Sequence, residues 1–244
     1  MLAWRAGTVL KLFHPQFEYA VEMEHARAQA VHALGAPCPA VFELAGQDGR
    51  RGVVYERIDG PLLLDSLRDR DDESIARVAA QLAELHASLH ALRVPEDSAL
   101  PKLREAILRW LARLPEERRA RAEAALAELP SDDTGLCHMD LHPGNVIVAG
   151  GRLVVVDWVN ACSGALALDV ARSIVLMAWQ GATRRDGGRQ RVRLALTERY
   201  RAEIARHLEP EQIERALPFA SDALLRAEPG NPYADELRAG IPWL

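Results

Sequence analysis

The chain has 244 residues, 49% of them hydrophobic and 27% charged, with a formal net charge of −5, which excludes disorder and gives enough length for one large domain or two lobes around a cleft. The acidic balance excludes an electrostatic grip on nucleic acid, which needs a basic face that displaces counterions. No run of about 18 apolar residues offers a membrane span, and Cys38, Cys137 and Cys162, odd in number and widely spaced, make neither a disulfide framework nor a paired-cysteine metal site.

Reduced thiols and the lack of a leader-like apolar segment imply a cytoplasmic protein. From Gly7 to Phe13 the residues are β-branched, aliphatic or aromatic and predict a strand, stopped by His14-Pro15. Gln16 to Leu34 has no Gly or Pro and ends at Gly35-Ala36-Pro37, which predicts a helix carrying Glu22 and Glu24. Ala40 to Ala45 and Gly52 to Ile58 read as strands flanking Gln47-Asp48-Gly49, whose Asp-Gly pair suits a hairpin turn. After Asp59-Gly60-Pro61 the pattern turns helical. Ile75, Val78, Leu82, Leu85 and Leu89 recur at spacings of three and four, one apolar stripe on one helix. Further helices are predicted over Pro101 to Arg113, Pro115 to Glu128, Leu168 to Trp179, Arg191 to Leu208 and Pro210 to Ala227. One β-like island interrupts them: Val146 to Val148 and Leu153 to Val156, joined by Ala149-Gly150-Gly151-Arg152. The Arg-rich stretches Arg118 to Arg121 and Arg184 to Arg193 read as solvated surface.

The segment Cys137-His138-Met139-Asp140-Leu141-His142-Pro143-Gly144-Asn145, followed after the hairpin by Val156-Asp157-Trp158, concentrates acidic and metal-competent groups. Asp140 and Asn145 share a Pro-Gly loop, and the hairpin must bring Asp157 back beside Asn145. This set suits phosphoryl transfer, which needs a base to orient a hydroxyl and oxygen ligands to hold Mg²⁺ on the phosphates. Asp140 would orient the acceptor proton, and Asn145 and Asp157 would ligate the metal.

His-x-Asp-x-x-x-x-Asn followed by Asp-Trp resembles the catalytic and metal-binding loops of the aminoglycoside phosphotransferase and choline kinase-like superfamily. The segment from His138 to Asn145 is similar to that family's His-Gly-Asp-Leu-His-Pro-Gly-Asn, with Met139 in place of the glycine. Val9-Leu10-Lys11-Leu12 resembles the strand whose lysine contacts the α- and β-phosphates. Only Lys11 and Lys102 are lysine among 30 basic residues, so a compact ammonium at that strand position suggests a need that a guanidinium does not meet. The resemblance implies that Glu24 pairs with Lys11, since Glu22, two positions off, faces elsewhere on a helix. It also implies that backbone groups of the segment Val54 to Gly60, Ile58 among them, hydrogen-bond the adenine, and that Asp169 supports the catalytic loop. Together these features cover residues 5 to 175 and imply a bilobal, α+β, protein kinase-like fold. A small β-rich N-lobe, truncated at its start, would span 1–59, and a larger helical C-lobe 60–244. The implied activity is transfer of the γ-phosphoryl group of ATP or GTP, with Mg²⁺, to a hydroxyl of a small molecule.

Two other readings remain open. His138, Asp140 and His142 alternate and could face one metal from an extended strand, as in a metal-dependent hydrolase. A nucleotide-binding pseudokinase would keep the fold without transfer. Kinase-like folds ordinarily place two strands and a Gly-rich turn before the lysine strand, whereas ten residues precede Lys11. The sequence therefore predicts at most a strand remnant around Leu2 to Trp4, with Ala6-Gly7 as its turn, and no loop over the triphosphate. Weak nucleotide binding and a solvent-open cleft would follow, from a start set inside a longer reading frame or from a reduced binding module. His86 and His90 have the spacing of a helical metal pair, but Ala87 stands where a zinc protease needs Glu, and they read as core or flank histidines. Asp222, Glu228, Asp235 and Glu236 would suit a cationic acceptor such as an aminoglycoside, though such groups also populate solvated surfaces.

Overall fold

The computed structural model describes residues 1–68, 71–130, 134–179, 187–228 and 230–242. Strands β1 (Leu2–Ala3), β2 (Thr8–Leu12), β3 (Val41–Gln47) and β4 (Arg50–Glu56) form a four-stranded sheet in the order β1-β2-β4-β3. All neighbours are antiparallel, with Lys11 opposite Val53 and Leu10 opposite Val54. The Asp-Gly turn between β3 and β4 is formed as the sequence predicts, with φ of 52° at Asp48 and 73° at Gly49, both in the region that matches the twist of a two-residue hairpin. The short strand expected around Leu2 is β1, paired to Val9 and Leu10.

The helix predicted from Gln16 begins later. Residues Pro15–Ala20 form a 3-10 turn in which His14 Nδ1 accepts the Gln16 N–H, and the α-helix α1 runs over Val21–Ala33. Pro15 fixes its own φ and removes a donor, which favours a tight first turn. Gly35, at φ 76°, ends α1 in the left-handed conformation that glycine adopts without a Cβ penalty.

The helical part comprises α2 (Asp72–His90), α3 (Leu103–Leu111), α4 (Glu116–Ala127), α5 (Leu166–Trp179), α6 (Gly187–Ile204), α7 (Pro210–Ala227) and α8 (Ala234–Ala239). Asp71 caps α2 by accepting the Ser74 N–H at 2.7 Å, and the stripe Ile75, Val78, Leu82, Leu85 and Leu89 is buried. Each such side chain contributes about 1.5–3 kcal/mol on burial. Leu82→Ala, at a fully buried position, would cost about 2–5 kcal/mol.

The β island is the hairpin of β6 (Val146–Ala149) and β7 (Arg152–Val155). A second pair escaped the sequence: β5 (Leu136–Cys137) with β8 (Cys162–Ser163), too short at two residues each to show alternation. One core cluster joins α2 to Leu141, Val146, Val155 and Trp158; a second joins α3 and α4 to α5 and α7. Leu141 and Val146 are both fully buried. They pin the two ends of the intervening loop to the first core.

Arg121 pairs with Glu117 and Arg119 with Glu123 along α4, the solvated face expected there. Arg184 and Arg185 lie outside the described residues.

Candidate active site

Strand alternation aims Lys11. Leu10 is fully buried in the core, while Val9 and Lys11 line a cleft of about 270 Å³ between the sheet and the β6–β7 hairpin. Lys11 Nζ donates to the two carboxylate oxygens of Glu24 at 2.8 and 2.9 Å and to Asp157 Oδ1 at 2.7 Å. The Tyr55 hydroxyl donates to Glu24 Oε1 at 2.8 Å. Glu24 is 1% exposed, so its charge is balanced inside the protein and not by water. Burial works against charge on Lys11, but the Glu24 and Asp157 carboxylates outweigh it and raise its pKa. Burial, and then Glu24, push the Tyr55 phenol far up, so it remains a donor. Glu22 instead pairs with Arg51 at the surface.

Asp157 follows β7 in a left-handed conformation, φ 68° and ψ 62°. The Val156 N–H donates to the Asn145 carbonyl at 2.9 Å, so the hairpin does return Asp157 beside Asn145. Asn145 Nδ2 donates to the Asp140 carbonyl at 2.9 Å and to Asp140 Oδ2 at 3.1 Å. Its amide oxygen is thereby turned away from Asp140, and Asp140 Oδ1 has no hydrogen bond among the described residues. Asn145 and Asp157 line the same cleft as Lys11. They offer hard oxygen donors, the chemistry Mg²⁺ takes.

The loop is locked from behind. His138 is fully buried; its Nδ1 accepts the Asp140 N–H at 3.2 Å, so Nε2 carries the proton and donates to the Val156 carbonyl at 3.1 Å. Its ring packs edge-on against Trp158, 4.6 Å between centroids. His142 Nδ1 accepts the Gly144 N–H at 3.1 Å. A Cβ at Gly144 would stand 2.8 Å from His142 Cε1, so the Pro-Gly turn needs glycine there. With both His138 nitrogens and His142 Nδ1 occupied, these imidazoles do not converge with Asp140 on one metal. The geometry does not support the hydrolase reading.

Asp169, on α5, accepts the His138 N–H at 2.9 Å and the Met139 N–H at 2.7 Å. His86 Nε2 and His90 Nε2 lie 2.9 and 3.1 Å from its Oδ2, and His86 Nδ1 lies 2.6 Å from the Tyr200 hydroxyl. Burial opposes ionisation of Asp169, but the His86 charge and hydrogen bond, with those of His90, hold the carboxyl well below the usual range. Among the described residues His86, His90 and Asp169 are the one group with metal-ligand proximity. Asp169 is already committed to the loop backbone, and the network reads as a brace. The resemblance implied Asp169 behind the loop, and His86 and His90 lie in the core or at its flank as read from the sequence; that they meet Asp169, and that Tyr200 joins them, was not foreseen. The available signal was α5 itself, whose charged residues are Asp169 and Arg172 alone.

Ile58 lines the cleft, and among the described residues its backbone makes no hydrogen bond, whereas the Arg57 N–H is taken by the Gly7 carbonyl. Three of the four acidic residues that would suit a cationic acceptor have partners within the protein. Asp222 is 2% exposed and accepts from Arg226 at 3.1 Å, Asp235 pairs with Arg238, and Glu228 accepts from Asn231.

A small antiparallel sheet over a helical body, with a lysine–glutamate pair facing an Asp-Asn loop and a hairpin aspartate, makes this a protein of the kinase-like fold. The chain belongs to the phosphotransferase enzyme family, whose model matches residues 2–203. Homoserine kinase of Pseudomonas aeruginosa is 32% identical over 166 residues, 61% of this chain and 50% of that protein. The chain thus spans about half the length of the curated relatives it matches. The crystal structure of an aminoglycoside-3'-phosphotransferase of type VIII has a TM-score of 0.57 at 23% identity, covering 87% of this chain and 84% of that one. An aminoglycoside phosphotransferase from Streptomyces rimosus has a TM-score of 0.58 at 20% identity, covering 86% and 84%. Among the described residues no helix is long and apolar enough to cross a membrane.

Proposed function

We propose that this protein transfers the γ-phosphoryl group of ATP or GTP to a hydroxyl of a small molecule. The observation that carries the reading is the bridge from Lys11 to Glu24 and Asp157, in a cleft that Asn145 also lines, with Asn145 in turn bonded to Asp140. Lys11, held by Glu24, would contact the α- and β-phosphates, and the free backbone groups of Ile58 would bond the adenine. Asn145 and Asp157 would hold Mg²⁺, which supplies charge neutralisation on the phosphates. Asp140 would take the acceptor proton on Oδ1, the oxygen Asn145 leaves open. As the acceptor oxygen bonds to the γ-phosphorus, the bond to the β–γ bridging oxygen breaks and the nucleoside diphosphate leaves with the electron pair.

The lobes we assign are 1–59 and 60–244. A cytoplasmic location suits the free cysteines, and the partners are small molecules rather than nucleic acid or membrane. The test is Asp140→Asn, assayed by nucleoside diphosphate release with an accepted hydroxyl compound. Turnover should fall by about 10² or more with nucleotide affinity spared. Unchanged turnover would remove Asp140 from the mechanism, and a wild-type protein that binds nucleotide but transfers nothing would favour the pseudokinase reading.

A further inference from the structure

A cavity of about 710 Å³ opens beside the loop, with His142 and Pro143 in its wall. Among the described residues its charged lining is Arg68, Arg189 and Arg193 with the carboxylate of Asp65, in a chain whose net charge is −5. Arg68 already donates to Asp65 at 2.9 Å, so that pair largely cancels. Arg193 stands one turn beyond Arg189 on α6 and brings to the cavity a guanidinium that the Arg68–Asp65 pair does not cancel. The Arg193 side chain has no hydrogen-bond or ion-pair partner among the described residues. Arg189 and Arg191 are exposed and Arg193 is half-exposed, as expected of a solvated stretch.

A second observation points the same way from another helix. Arg172 follows Asp169 by three residues on α5, and its Nη1 is sealed from solvent without a hydrogen-bond partner. Buried donors are ordinarily paired, and one that is not calls for an explanation such as a ligand. Burial lowers the pKa of this guanidinium, while Asp140 and Glu228 raise it again. The positive charge of Arg172 on α5 therefore stands near Asp140, and Asp222 and Asp235, which would welcome a cation, are paired with arginines of their own.

We propose that the phosphate acceptor is a small hydroxy acid, its carboxylate held in this cavity by Arg193 while its hydroxyl reaches Asp140. The proposal rests on the phosphotransferase reading above and names the acceptor class for it. A guanidinium fork matches a carboxylate in a planar, two-bond geometry. His142, in the cavity wall, follows Asp140 by two residues, which keeps the two Cα atoms within about 7 Å and sets Asp140 beside the cavity.

The test uses the full chain with MgATP and matched acceptors: L-homoserine against its carboxamide, glycerate against glyceramide, and kanamycin as a polycation. ADP release and phosphorus NMR of the product are read, and MgATP affinity is measured by calorimetry. In at least one pair the acid should have a kcat/KM about tenfold or more above its amide. Arg193→Ala should raise KM for that acid about tenfold with kcat little changed and MgATP affinity kept, and Arg193→Lys should restore part of the loss. Arg193 is half-exposed on α6, so neither change threatens the fold. Equal or better use of the amides or kanamycin overturns the proposal, as does an unmoved KM in Arg193→Ala. Silence from both acids while MgATP binds also overturns it. Failure to bind MgATP at all strikes the phosphotransferase reading first, and the acceptor assignment falls with it.

Discussion

Asp169 holds Met139 in a conformation that its side chain disfavours. The carboxylate accepts the Met139 N–H at 2.7 Å, and Met139 sits at φ 64°, where a Cβ crowds the backbone. Glycine adopts this region freely, whereas other residues lose about 1–2 kcal/mol. The similar loops carry glycine here, so this chain retains the backbone shape and offsets the strain with the Asp169 brace. Met139→Gly should therefore be more stable than Met139→Ala by about 1 kcal/mol in denaturant unfolding, against the usual order of the two residues. Alanine equal to or above glycine would show that the loop is not left-handed at this position.

The Lys11–Glu24 pair should couple strongly. Glu24 is 1% exposed, and removing Lys11 leaves it with the Tyr55 hydroxyl, at 2.8 Å, as its remaining side-chain donor. A double-mutant cycle of Lys11→Ala and Glu24→Ala, read by equilibrium unfolding, should give a coupling energy of about 1.5–3 kcal/mol. Additive losses would mean that the bridge contributes nothing beyond packing.

Asn145 has two tasks that one substitution can separate from binding. Its Nδ2 donates to Asp140, and in the proposed reaction its Oδ1 would be offered to Mg²⁺. Asn145→Ala should raise the Mg²⁺ concentration for half-maximal turnover and lower kcat by about 10² or more. A lower kcat with unchanged Mg²⁺ dependence would leave Asn145 a positioning role alone.

Local chemistry made much of this legible. The α2 stripe, the Asp48-Gly49 turn and the return of Asp157 follow from periodicity, turn residues and short spacings, and the choice of Glu24 over Glu22 follows from the resemblance around Lys11. What stayed hidden depends on long-range contacts. His86 meets Asp169 across 83 residues and Tyr200 across 114, and no local pattern announces either. The arginine-lined cavity likewise gathers Arg68 from before α2 and Arg193 from α6, which a linear reading scores as separate surface charges. Strands of two residues such as β5 and β8 offer no alternation to detect.

Stability should fall on mild acidification because His138 is buried neutral. Nδ1 already accepts the Asp140 N–H at 3.2 Å, so a second proton must go onto a nitrogen that faces a donor. Burial lowers the pKa of this imidazole below its ordinary 6.5, although Asp169 and other acceptors pull it partly back. Between the folded and ordinary values the unfolded chain binds the extra proton and the folded chain does not. Unfolding is therefore favoured as pH drops below about 6.5, by at most about 1.4 kcal/mol per pH unit for one site. Asp169 adds a lower branch of the same sign. Its folded pKa lies well below 3.8, so the stability it contributes is present above that pH and is lost as the pH falls below it. Melting temperatures measured from about pH 8 to about pH 5 should decline steadily, mainly below about 6.5. His138→Gln, less stable at the upper end, should decline less steeply over the same interval. A wild-type melting temperature that is flat or rising between about pH 7 and about pH 5 would show that His138 accepts its second proton inside the fold.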